Sequence, residues 1–165
     1  MYKLTIPALV VLIASTHAHA ACNISARIAP DSRYQLIGDG AEVKDKQTGL
    51  IWQRCSIGQS FNGNTCTGNA IAVDWKYALQ TAKSTNKWRL PNIKELDSLV
   101  ELACYEPSIN ENIFPNTKMS YYLSSSPSAV ANVGSAWMVS FADGNNSYYK
   151  NTKTGGFVRL VRSEQ

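Results

Sequence analysis

Four cysteines constrain the fold more than any other feature of this 165-residue chain. Cys55 and Cys66 flank a segment rich in glycine, asparagine and serine, so a local bridge between them is the simplest pairing. Cys22 and Cys104 are then left to pair with each other, although this connectivity is inferred. An even number of cysteines predicts two disulfides when the chain is exported. A redox-active pair is the alternative, but no Cys-x-x-Cys spacing supports it.

The amino terminus predicts export. Lys3 supplies a short basic region, and residues 6–14 form an apolar run that is too short to cross a bilayer. Residues 18–20 read Ala-His-Ala, which is typical of a cleavage site. We therefore expect residues 1–20 to be a signal peptide, and the mature protein to reside in the periplasm, at the cell surface or in the medium.

Two consequences follow from this signal. Cys22 lies just after the apolar run, so lipid attachment is an alternative fate, but a lipid site favours a Leu-like residue where His19 stands. His17 and His19 are the only histidines, so cleavage leaves the mature chain with none. The commonest general base and the commonest metal ligand are therefore missing, which argues against zinc sites and histidine-activated nucleophiles.

The charge balance excludes little. Loss of Lys3 leaves 15 basic residues against 12 acidic ones, a net charge of about +3. This permits attraction to anionic glycans or envelopes, whereas export and the lack of a dense basic run argue against nucleic acid. Asp143, Asn145 and Asn146 supply too few oxygens for a structural calcium, and we expect neither a metal nor a cofactor.

The order of predicted elements defines the fold class. Residues 21–32 form an irregular lead segment, and residues 33–165 form one domain. Periodicity and turn residues predict strands, then two helices, then strands again, which is an α+β arrangement of two helices packed on an antiparallel sheet. The predicted strands are residues 33–37, 41–44, 50–55, 121–124, 136–141, 147–150 and 157–162, and the predicted helices are residues 75–83 and a segment from 93 to near 104.

The second helix has a well-marked start. Pro91 disfavours helical geometry at the residue before it, and Asn92 with Glu95 forms a capping-box pattern. We expect Trp88 to pack beneath this helix start and Arg89 to have a carboxylate or carbonyl partner. The simplest interpretation of this stretch is a structural corner without chemistry.

Three stretches of the chain resemble the Lcl C-terminal domain family, which is named for a Legionella collagen-like adhesin. They are Asp45 to Cys55, Trp88 to Leu96, and a last third that includes Ser124 to Ser126, Trp137 to Phe141, Gly144 and Val158 to Arg162. The resemblance implies a compact C-type lectin-like domain of an exported protein. For the adhesin it implies binding to sulfated glycosaminoglycans as a trimer, without catalysis. It supplies no binding motif that can be transferred residue by residue, and the oligomeric state of this chain stays open.

Two loops are candidate ligand contacts. The hairpin at residues 143–153 alternates tyrosines with amides and cations, so it could stack a sugar and hold a sulfate or carboxylate. Strand alternation allows only one of its two tyrosines to face outward. Its candidate ligand-binding residues are Asn145, Asn146, Tyr148, Tyr149, Lys150 and Lys153. In the disulfide loop, Phe61 and Gln59 form a contact point if Phe61 is exposed. If Phe61 lies under the bridge, the loop has only a structural role. An ordinary solvated hairpin is the competing interpretation of the first loop.

These observations favour an exported, non-enzymatic binding or adhesion module that recognises anionic, glycosaminoglycan-like glycans. The alternative is a structural or assembly protein of the envelope that acts through protein contacts. A hydrolase is the third hypothesis, since Glu101, Glu106 and Glu111 lie close in sequence, but their spacing does not favour a catalytic pair.

Overall fold

The computed structural model describes residues 21–85, 87–129, 135–149 and 155–164, with the side chains of Ala21 and Tyr149 left out. The predicted signal peptide, residues 1–20, therefore lies outside the described residues. Within them, short 3-10 turns at Ile24–Ala26 and Asp31–Arg33 lead into strands and two helices. The elements are β1 (Ala21–Cys22), β2 (Tyr34–Ile37), β3 (Glu42–Asp45), β4 (Leu50–Gln53), β5 (Ser60–Phe61), β6 (Cys66–Thr67), α1 (Trp75–Ser84), α2 (Ile93–Asp97), β7 (Cys104–Tyr105), β8 (Tyr121–Pro127), β9 (Ala136–Ser140), β10 (Asn146–Tyr149) and β11 (Val161–Ser163).

A four-stranded antiparallel sheet joins the two ends of the domain in the order β11-β4-β3-β2. The predicted meander of the first three strands is present, and the closing strand adds to it beside β4. Trp52 on β4 lies opposite Val43 on one side and Val161 on the other, and all three side chains are fully buried. This cross-strand apolar row fixes the register, because a slip of one residue would turn it towards solvent.

A three-stranded antiparallel sheet, in the order β10-β9-β8, has apolar cores on both faces. Tyr122 and Val139 pair across β8 and β9 and belong to the cluster that contains Trp52. Leu123 and Met138, the next pair, belong to a second cluster that contains Ala78 of α1. Since neighbouring residues of a strand point to opposite faces, this sheet separates the two clusters.

The two helices contribute to different clusters and do not form one layer. Ala78 and Ala82 of α1 are buried in one cluster, whereas Leu96 of α2 is buried in the other. Asp74 caps α1 by accepting a hydrogen bond from Tyr77 N at 2.7 Å, as its sequence pattern suggests. The mixed α+β class with antiparallel sheets is therefore confirmed, while one layer of two helices on a sheet is not.

The start of α2 was predicted well and its end was not. The Asn92–Glu95 capping box is present, but the helix stops at Asp97 and does not continue to near residue 104. Val100 forms a β-bridge with Ile109, and Glu101 turns inward to accept hydrogen bonds from the lead segment. A continuous helix could not make these contacts. The apolar residues beyond residue 97 are therefore spaced as in a helix because they are buried in the core, although the backbone that carries them is irregular.

Trp88 is half-buried and packs on the cluster of Ala78 and Ala82. Its expected position beneath the start of α2 stays a prediction. Arg89 has the predicted carboxylate partner, Glu95, with two N–H···O bonds of 2.7 Å. Glu95 therefore serves the capping box and the ion pair together.

Both disulfides that the cysteine spacing indicated are present. Cys55 is bonded to Cys66 and Cys22 to Cys104, which leaves no free cysteine among the described residues. Because Cys22 Sγ is bonded to Cys104, it is not available for lipid attachment. In the same ranges, neither helix has the length and hydropathy that a bilayer crossing requires.

Candidate binding site

The described part of the candidate hairpin is an edge strand with an ordered turn before it. β10 lies at one side of its sheet and pairs only with β9, which places Tyr148 opposite Trp137. The rings of Tyr148 and Trp137 contact edge to face, with centroids 6.4 Å apart, and both side chains are half-buried. This pair fixes the outer part of the hairpin on the sheet.

The turn itself is closed by side-chain hydrogen bonds. Asn145 donates to Asp143 through its backbone N at 3.2 Å and through its Nδ2 at 2.7 Å. The pKa of Asp143 lies below its usual range because the Ser140 side chain and Asn145 donate hydrogen bonds to the carboxylate. Gly144 has a φ of +78°, and a Cβ there would lie 2.8 Å from Val100 Cγ1. The turn is thus held in one shape against the core.

The structure brings together only some of the predicted contact residues. Asn145 is exposed in the turn, Asn146 is exposed at the start of β10, and Tyr148 follows on the same strand. Tyr149 pairs with Ala136 in the sheet, but its side chain is outside the described part. Lys150 and Lys153 lie outside the described residues altogether, so the role of this hairpin stays a prediction.

The disulfide loop contains a second candidate, a cleft of about 330 Å³. Phe61 is half-buried in its wall, and the Arg54 guanidinium carbon lies 4.7 Å from the Phe61 ring centroid. The ring is therefore neither fully exposed nor hidden under the Cys55–Cys66 bridge. Glu42, Gln53 and Gln59 contribute polar groups to the same cleft.

Two of these cleft residues were not singled out from the sequence. Glu42 and Gln53 are directly opposite each other in the β3–β4 pair, so their side chains share one face. The alternation of apolar and polar residues in the two predicted strands already placed each of these residues on the polar face. It could not show that they are neighbours, because that requires the register of the strand pair, which the pattern alone does not supply.

The carboxylates considered for hydrolysis have different surroundings. Glu101 is fully buried and accepts hydrogen bonds from the backbone N–H groups of Ile28, Ala29 and Ala103. Glu106, by contrast, is exposed. The part of the chain that the structure describes also holds no cluster of His, Cys, Asp or Glu suited to a metal ion.

The geometry thus defines a disulfide-linked α+β domain that presents an ordered turn at residues 143–145 and a preformed cleft on two antiparallel sheets. The model of the Lcl C-terminal domain matches residues 41–162, and the chain belongs to this family of adhesin-related modules. The match begins within the first hairpin of the four-stranded sheet and leaves the lead segment outside. No curated protein and no solved structure matches the chain.

Proposed function

We propose that this protein is an exported, non-enzymatic adhesion module that binds anionic glycans through the hairpin of residues 143–153. The observation that carries the proposal is the hairpin's described part, where exposed Asn145 and Asn146 precede Tyr148 on an edge strand. Lys150 follows one residue after the end of β10, and Lys153 follows soon after. Amides, an aromatic ring and cations are therefore close in sequence.

Family membership and charge support this proposal from two directions. The matched domain is adhesin-related, which favours a contact function, and a C-type lectin-like fold is the expectation that comes with the family resemblance. A net charge of about +3 on the mature chain favours anionic partners at low ionic strength. Export rests on the amino-terminal sequence and agrees with the two disulfides.

The test is retention of the mature protein on a heparin column. We expect elution at moderate salt, and earlier elution when Lys150 and Lys153 are both replaced by Ala, because each lysine removed loses one screened charge contact. The double variant Lys76→Ala/Lys83→Ala removes the same charge from the exposed face of α1 and is the matched control. No retention at low salt would reject glycan binding, and equal elution of both double variants would reject the hairpin as its site.

A specific surface favours the second candidate, a protein that assembles through protein contacts. Ile24, Leu102 and Tyr105 are 76%, 70% and 55% exposed, and each lies within two residues of the Cys22–Cys104 bridge. The β1–β7 pairing brings their two segments together, and exposed apolar groups that lie together are typical of protein interaction sites. Cross-linking in an envelope extract separates this candidate from the first: Leu102→Ser should abolish the cross-linked product and leave heparin retention unchanged.

A further inference from the structure

We propose that the cleft beside the Cys55–Cys66 disulfide is a second binding site, and that it takes a neutral sugar residue. The cleft lies between the β3–β4 hairpin and the disulfide loop, and its volume of about 330 Å³ is at the lower end of small-ligand sites. It combines one aromatic ring with a carboxylate and two carboxamides. A pyranose ring has an apolar face and hydroxyl groups at its edge. The aromatic ring can pack on that face, and the carboxylate and carboxamides can bond to the hydroxyl groups.

The ring of Phe61 supplies the apolar platform. Phe61 is half-buried, and the guanidinium of Arg54 contacts it with 4.7 Å between the guanidinium carbon and the ring centroid. Arg54 is 5% exposed and does not line the cleft, so it supports the ring from the protein side. Arg54 also donates hydrogen bonds to the carbonyl oxygens of Gly40, Ile113 and Asn112, which fixes its own position. The ring is thus held in place before any ligand arrives.

Glu42 and Gln53 supply hydrogen-bonding capacity that the protein does not use up. Glu42 Oε2 accepts from Arg162 Nη2 at 2.7 Å, while its other carboxylate oxygen has no partner among the described residues. The side-chain amide of Gln53 likewise makes no hydrogen bond within the described ranges, where Arg159 Nη1 donates to the backbone carbonyl oxygen of Gln53 and not to its side chain. Because the two residues are directly opposite in the sheet, one sugar residue can reach both. The Glu42 carboxylate can accept a hydrogen bond, and the Gln53 amide can both donate and accept one. Two neighbouring hydroxyl groups of a sugar need this set of partners.

The opposite wall is a preformed turn at residues 56–59. Gln59 N donates to Ser56 O at 3.0 Å, and Ser56 N donates back to Gln59 Oε1 at 3.2 Å. Gly58 has a φ of +92°, and a Cβ there would lie 2.5 Å from Asn69 O, so this wall accepts no side chain. The Cys55–Cys66 bridge closes the base of the loop. A site that is ordered in advance loses little conformational entropy on binding.

The charge of the cleft selects a neutral ligand. Neither lysine nor arginine is among its lining residues, and Glu42 carries the one ionisable carboxylate there. The ion pair with Arg162 compensates that charge, so the cleft offers nothing to a sulfate and no net attraction to a cation. This separates the cleft from the lysine-bearing hairpin, for which we propose an anionic ligand.

A neighbouring groove provides room for a second sugar residue. It has a volume of about 300 Å³ and is lined by Tyr77, Ile71 and Asp74, and it shares Ile57 with the cleft. Tyr77 and Ile71 are each more than half exposed, so this groove offers another aromatic ring next to the cleft. An oligosaccharide is therefore a better fit than a single sugar.

The experiment is saturation-transfer NMR of the mature protein with neutral oligosaccharides of glucose, mannose and N-acetylglucosamine, followed by titration of the strongest binder. We expect binding that is the same at low and at high salt, because a neutral ligand makes no screened charge contact. Gln53→Ala should weaken it about tenfold through loss of the amide contacts. Phe61→Leu, which keeps apolar bulk and removes the ring, should weaken it by a similar factor.

Gln35→Ala is the matched control, because it removes an exposed glutamine from β2 in the same sheet, outside the cleft. It should leave saccharide binding unchanged, and Gln53→Ala should leave heparin retention unchanged. Absence of binding to the neutral panel overturns the proposal, as does binding that disappears at high salt or that survives both cleft substitutions in folded protein. Heparin retention is measured separately, so each proposal fails or stands by its own result.

Discussion

A buried arginine, Arg159, shows that a charged side chain can be part of the core of this protein. Arg159 is fully buried, and its guanidinium donates to Thr117 Oγ1 at 2.7 Å and to the carbonyl oxygens of Gln53 and Arg54. It also lies over the rings of Phe114 and Tyr122, and burial lowers its pKa. Its planar, multi-donor group holds together segments that are distant in sequence. The predicted strand alternation could not show this, because Val158, Arg159 and Leu160 are all buried in succession.

Asp45 is the residue for which we expect the clearest pH dependence. Burial alone would raise its pKa, but hydrogen bonds from Arg33, Thr48 and the backbone of Gln47 outweigh it, so the pKa lies below its usual value. A depressed pKa means that folding favours the charged form. The stabilisation is therefore complete above the unfolded-state pKa, near 3.9, and is lost as the pH falls through the lower folded-state value.

We expect Asp45→Asn to lower the free energy of unfolding at neutral pH by about 3 kcal/mol, because it leaves Arg33 without its buried partner. Urea unfolding at a series of pH values measures this, and the variant should lose less stability than the wild type on acidification. Asp97→Asn, at an exposed position, is the control. Equal slopes for wild type and Asp45→Asn below pH about 4 would contradict the assignment.

The strands and helices show which parts of the fold could be predicted from the sequence. The β2–β3–β4 meander, the capped start of α2 and the β9–β10 hairpin were predictable because local turn chemistry and alternation specify them. The end of α2 was not, because its later apolar residues face the core from an irregular segment. Local sequence also singled out the hairpin as a candidate site, and that assignment stays a prediction. The cleft could not be predicted, because Glu42 and Phe61 meet only through tertiary packing.

One buried carboxylate accepts backbone hydrogen bonds from the lead segment. Glu101 accepts hydrogen bonds from Ile28 N at 3.0 Å and Ala29 N at 2.8 Å, and thereby fastens residues 28–29 to the domain. We expect Glu101→Gln to destabilise the protein by about 2 kcal/mol, because an amide has one acceptor oxygen and presents N–H groups to other N–H groups. Hydrogen exchange should become faster at Ile28 and Ala29 than in the central sheet.

Glu106→Gln is the control for this change, since Glu106 is exposed. Its exchange pattern should match that of the wild type. Unchanged protection of the lead segment in Glu101→Gln would show that other contacts, such as the Cys22–Cys104 disulfide and the hydrogen bond from Asn110 Nδ2 to Ala29 O, hold the segment without the carboxylate.

At the scale of the whole molecule, the two disulfides should contribute unequally to stability. Cys22–Cys104 spans 82 residues and Cys55–Cys66 spans 11, and the chain-entropy account assigns a larger effect to the longer loop. We expect Cys22→Ser/Cys104→Ser to cost about 1–2 kcal/mol more than Cys55→Ser/Cys66→Ser in urea unfolding. The reverse order would mean that the short bridge supports native packing at the cleft.

The position of one bridge inside the other also affects maturation. Cys55–Cys66 is nested within the segment that Cys22–Cys104 encloses. A chain that enters an oxidising compartment amino terminus first presents Cys22 and Cys55 together before its last cysteine emerges. Oxidation of Cys22 with Cys55 would join the wrong partners, and thiol–disulfide exchange would then be needed to reach the native pairs. Efficient production of this protein should therefore require a disulfide isomerase as well as an oxidant.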